Sequence, residues 1–148
     1  MDQRIDTYAL PLLALTYGAL GVASLYASLF VSDGWEVLGT VFTGGLMSGF
    51  VFLVASMVLV VATDQLRKGG DFLAFAYVGT GIGTLMLLVQ TLLILGDAFG
   101  SIIGMEDLEG WTLMDSIDPT MIVGVFALVL LISYRRRIMV ETGGGETC

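Results

Sequence analysis

Four apolar runs without a single charged residue dominate this chain: Tyr8–Val31, Val37–Thr63, Phe72–Gly96 and Pro119–Tyr134. A helix needs about 20 residues, within a range of about 17–25, to cross the hydrocarbon core of a bilayer. The first three runs reach that length. The fourth is slightly short, and Tyr134 and the arginines after it extend it by snorkelling. Hydrophobic residues make up 56% of the 148, with a mean hydropathy of +0.91, whereas soluble domains lie at about 45–50% apolar. A soluble core of this size cannot hide so much apolar surface, so lipid must be part of the solvent. In lipid the backbone has to satisfy its own hydrogen bonds, which selects helices. The expected fold is all-α: a polytopic, up-down-up-down four-helix transmembrane bundle formed by residues 1–140. An acidic outer loop at 97–118 and a disordered tail at 141–148 complete the plan.

The run ends carry helix punctuation. Asp118-Pro119 places an acidic N-cap before a proline at the first helical position, and Asp71 is similarly placed to cap the third helix. Gly34, Gly69-Gly70 and Gly96 stand where left-handed C-terminal turns prefer glycine. Pro11 is expected in the first turn of the first helix, where a missing N–H costs little. The leader Met1–Thr7 holds Asp2, Asp6 and only one base, Arg4. It lacks a positive n-region, and the run behind it exceeds the usual h-region, so it does not read as a cleaved signal peptide.

The six basic residues fix an orientation. Arg4 precedes the first run, Arg67 and Lys68 join the second to the third, and Arg135, Arg136 and Arg137 follow the fourth. The other two connections contain no Lys or Arg. The positive-inside rule therefore places both termini in the cytoplasm. Asp33, Glu36, Asp97, Glu106, Asp107, Glu109, Asp115 and Asp118 all fall on the outside. The net charge of −8, with one Lys in the whole chain, resembles the acidic proteins of halophilic archaea, whose self-repulsion strong salt screens. With no basic patch beyond the Arg135–Arg137 cluster, nucleic acid is not an expected partner. The lone Cys148 cannot form an internal disulfide, and the absence of His removes the commonest metal ligand and proton shuttle.

Small residues at four-residue spacing let helix backbones approach closely. Gly45 and Gly49 form such a pair in the second run, Gly79 and Gly83 in the third, and Ala19, Ala23 and Ala27 repeat the spacing in the first. They predict a tight bundle of helices one to three, with an oligomer interface as the other use of such faces. Gln90, the most polar residue within a run, is expected to bond across helices to Ser24, Ser28 or Thr43. Arg135, Arg136 and Arg137 serve as an orientation signal or contact anionic lipid headgroups. Trp35 and Trp111 are the expected interface anchors. The 97–118 loop reads as a short amphipathic segment on the membrane surface or a docking surface for another membrane protein. Its acids Glu106, Asp107 and Glu109 lack an EF-hand pattern, so no metal is expected.

Nothing in the sequence assembles a catalytic constellation. There is no His base, and Gly79-Thr80-Gly81-Ile82-Gly83 lies inside an apolar run without the preceding strand of a dinucleotide site. No cofactor is expected. The chain reads as a non-catalytic structural or accessory membrane protein, partnered by the bilayer and by a membrane protein or a second copy. The alternative is a small oligomeric channel or uncoupled transporter. Its plan consists of four spans, a short acidic loop at Ser32–Glu36, a longer one at Asp97–Asp118 and Arg-rich inner ends. That plan resembles the four-span internal membrane proteins of haloarchaeal pleomorphic viruses, and uncharacterised haloarchaeal membrane proteins. The resemblance implies residence in a cell or virion membrane envelope and no catalytic site.

Overall fold

A computed structural model describes residues 3–30, 35–37, 40–42, 46–104, 112, 117 and 119–143. Four helices carry the architecture: α1 (Gln3–Phe30), α2 (Leu46–Lys68), α3 (Leu73–Ile103) and α4 (Pro119–Gly143). Three of them, α1 from Asp6, α2 and α3, are long and apolar enough to cross a membrane. The 28 residues of α1 and 31 of α3 rise about 42 and 46 Å, more than the roughly 30 Å of a hydrocarbon core.

Paired contacts give the helix directions. Gly18 of α1 meets Ser56 of α2, Gly21 meets Leu53, and Gly49 meets Leu25, so α1 and α2 run antiparallel. Gly83 with Ala127, and Gly124 with Leu87, set α3 against α4 in the same way. Tyr17 reaches Gly83, and Asp6 reaches Tyr134 and Arg137, which joins the first helix to the fourth. The fourth helix shares in the packing as well: Ala127, Leu130 and Tyr134 of α4 belong to the common core. The core also holds Leu10, Leu13, Phe52, Leu59 and Ala76, and the Tyr17 ring stacks on Phe52 at 5.7 Å. Leu12, Leu15, Met57, Leu88 and Phe126 point outwards, as a bilayer solvent requires. A soluble monomer seldom exposes so continuous an apolar surface.

The element boundaries depart from the sequence expectations at four places. The run Val37–Thr63 does not start as a helix. Trp35–Val37 (β1) and Thr40–Phe42 (β2) pair as a short antiparallel hairpin, Trp35 opposite Phe42, because aromatic and β-branched residues favour strands. Pro11 lies inside α1 rather than in its first turn, since the helix starts at Gln3. Asp71 does not cap α3: Phe72 holds the N-cap position and no side chain bonds there. Gly96 does not end α3. One interior glycine costs only about 1 kcal/mol, and the helix continues through Asp97 to a left-handed Gly104. The first residues of the 97–118 segment are therefore helical. The end of α2 follows the expectation: Gly69 is left-handed with φ +69°. The Gly70 N–H donates to Gln65 and the Gly69 N–H to Leu66, a Schellman turn.

Candidate functional site

A carboxylate buried among apolar helices is the most unusual chemical feature of the structure. Asp6 is 0% exposed. Arg137 of α4 donates from Nη1 to Asp6 Oδ2 at 2.6 Å and retains 23% side-chain exposure. Tyr134 Oη points at Asp6 Oδ1 from 3.4 Å, long for an O–H···O bond. The Arg137 guanidinium also stands over the Tyr134 ring, 5.9 Å from its centroid. Removing both charges from water is costly, and the ion pair repays that cost only with good geometry.

Local sequence periodicity puts these groups together. Asp6, Leu10, Leu13, Ala14, Tyr17, Ser24 and Ala27 are the buried side chains of α1, spaced by three, four and seven. Thr120, Ala127, Leu130 and Tyr134 are buried on α4, and Arg137 continues that stripe one turn further. Asp6 lies two residues before the first apolar run but in phase with its buried face, and it brings a charge into the bundle that the uncharged runs do not show. Arg137 pairs with Asp6, a contact its place in the basic cluster does not announce, while Arg135 and Arg136 remain exposed.

Two further polar contacts lie deeper. Gln90 Nε2 donates to Thr120 Oγ1 of α4, so its partner is neither Ser24, Ser28 nor Thr43. The antiparallel α3–α4 pairing brings Thr120 to the level of Gln90. Ser56 Oγ of α2 donates to the Ala14 carbonyl of α1 at 2.8 Å. Five threonines close on their own helices: Thr16, Thr63, Thr80, Thr84 and Thr91 donate to the carbonyl four residues back. Tyr17 Oη is the one buried side-chain polar atom with no partner among the described residues, and it rests against Gly83.

The small-residue faces separate into two groups. Gly49 packs beneath Leu25, where a Cβ would come within 2.8 Å of the leucine side chain; Gly79 sits equally close to Leu59. Gly83 admits Tyr17 to the centre of the bundle. In α1 the close approach falls to Gly18 and Gly21, which are out of phase with the alanines. Ala27 is buried, Ala23 is half-buried and Ala19 is exposed, so the alanine series does not pack as one face. Ala19 and Ala23 instead border an apolar groove between α1 and α2. Gly45, Trp111, Glu106, Asp107 and Glu109 lie outside the described residues, and Trp35 is described only as part of β1. Among the described residues no three His, Cys, Asp or Glu side chains gather into a metal site.

Comparison with known proteins gives the same picture of a membrane-embedded chain. The family model described as "MJ0565 integral membrane domain" matches residues 1–137. Uncharacterized protein MJ0565 of Methanocaldococcus jannaschii is 24% identical over 126 residues, covering 79% of this chain and 83% of the relative. No solved structure matches.

Proposed function

Because the chain belongs to the MJ0565 integral membrane domain family, we propose that it is a non-catalytic structural or accessory component of a membrane complex. The commitment of its interior polar groups supports this reading above all. Asp6, Arg137, Gln90, Thr120 and Ser56 tie helix to helix, and the threonine hydroxyls are bonded to their own backbone. A channel or uncoupled transporter needs such groups turned towards a permeating solute.

In this proposal α4 spans together with α1–α3, and both termini face the cytoplasm or virion interior. The collection of all six basic residues at one end of the bundle supports that orientation. The acidic, Lys-poor composition supports a halophilic host, and the likeness of plan to haloarchaeal viral proteins extends the setting to a virion envelope. The relative in a methanogenic archaeon supports a cell membrane of an archaeon. The 97–118 segment, with Asp97–Ile103 in the last turns of α3, is the proposed contact for a membrane partner, and a second copy is the other candidate.

Gentle solubilisation of the native membrane, followed by reconstitution of the isolated chain, tests the proposal. The expected result is a stoichiometric membrane partner that truncation within 105–116 releases, and vesicles no leakier to ions than protein-free ones. An isolated homo-oligomer that conducts, with the conductance lost on Gly49→Leu, would replace the accessory reading by the channel.

A further inference from the structure

Beside their close approach, α1 and α2 diverge into an open groove of about 1070 Å³. It extends along α1 from Pro11 to Tyr26, about 22 Å of helix, against about 15 Å for one leaflet of the hydrocarbon core. Gly18, Ala19 and Ala23 make it shallow on the α1 side, and Val60 borders it on α2. Most of its lining is apolar, the surface an apolar lipid chain requires.

Its polar groups are unevenly committed. Ser56 bonds to Ala14, Thr63 bonds to Leu59, and the Asp64 carboxylate accepts from Lys68 at 2.6 Å. Arg67, at the basic end, lines the same groove and has no hydrogen-bond or ion-pair partner among the described residues. Lys68 offsets Asp64, so Arg67 supplies the uncompensated charge. An arginine fork donates two parallel hydrogen bonds to a phosphate. We propose that this groove binds an anionic lipid of the leaflet on the basic side, its apolar chain along α1 and α2 and its phosphate on Arg67. The site is distinct from the Arg135–Arg137 cluster and is independent of any protein partner.

The test is a titration of the purified full chain with phosphatidylglycerol and with phosphatidylcholine of identical acyl chains, read by native mass spectrometry. One basic group near an anionic headgroup predicts roughly fivefold tighter binding of phosphatidylglycerol. Arg67→Gln abolishes that preference and Arg136→Gln preserves it. Ala19→Trp, which fills the groove from an exposed position, weakens binding of both lipids. Matching helical melts establish that each variant is folded. Equal binding of the two lipids by the unmodified chain overturns the proposal. So does a preference that survives Arg67→Gln or disappears with Arg136→Gln, or binding indifferent to Ala19→Trp. A dimer that Ala19→Trp dissociates assigns the groove to a second copy and equally overturns the lipid site.

Discussion

Replacing Arg137 by glutamine separates the charge of Asp6 from its counter-ion while leaving the carboxylate buried. Removing one member of a fully buried pair costs about 3–5 kcal/mol. Arg137 is 23% exposed, so water at that edge recovers part of the loss, and the expected cost is about 2–3 kcal/mol. The cation–π contact with Tyr134 contributes about 0.5 kcal/mol of it. The opposite change is milder. Asp6→Asn keeps an acceptor for Arg137 and leaves a cation that already touches solvent, so about 1 kcal/mol is expected. The double variant has neither an unpaired buried charge nor a large void, and its cost falls below the sum of the two by about 1 kcal/mol or more. Equilibrium unfolding in mixed mild-detergent and dodecyl sulfate micelles, followed by helical circular dichroism, measures all three. Arg136→Gln, one residue away and exposed, is the control. The reasoning is refuted if the two single changes add within about 0.5 kcal/mol, or if Arg137→Gln costs no more than Arg136→Gln.

Gly83→Ala drives a methyl group into Tyr17, and the same unfolding measurement should register a loss of about 1–3 kcal/mol. Tyr17→Phe deletes only an unpartnered hydroxyl, so it should be neutral or stabilising alone and should restore part of the Gly83→Ala loss. Gly49→Val wedges α1 from α2 and should destabilise by about 1–3 kcal/mol, whereas Ala19→Val should stay within about 0.5 kcal/mol. Gln90→Leu removes one interhelical hydrogen bond and should cost about 0.6–1.7 kcal/mol. Cys148 is the sole thiol; in intact cells a membrane-impermeant maleimide should leave it unlabelled until the membrane is opened.

Helix number and approximate placement were legible because lipid imposes a length and an absence of charge that few other environments impose. Gly49, Gly79 and Gly83 pack against Leu25, Leu59 and Tyr17, contacts of the kind that small residues at four-residue spacing permit. Asp6 was not legible. Apolar runs begin where charge ends, so a carboxylate two residues upstream is assigned to the solvent. Buried-face phase carries the missing signal: Asp6 stands four residues before Leu10 and seven before Leu13, and Arg137 three beyond Tyr134. The partner of Gln90 was hidden for a different reason. Serines and threonines occur on every helix, and only the α3–α4 register selects Thr120. The β1–β2 hairpin was obscured because Val37–Phe42 is apolar enough to merge with the run behind it, although its residues favour strands.

The Asp6–Arg137 pair also sets a schedule for biogenesis. Its members are 131 residues apart, so at about 5–20 residues per second the arginine is made roughly 7–26 s after the aspartate. During that interval Asp6 cannot form the ion pair that accompanies its burial in the finished bundle, and burying its charge alone is costly. A chain that ends before Arg137 therefore lacks the partner of its buried carboxylate.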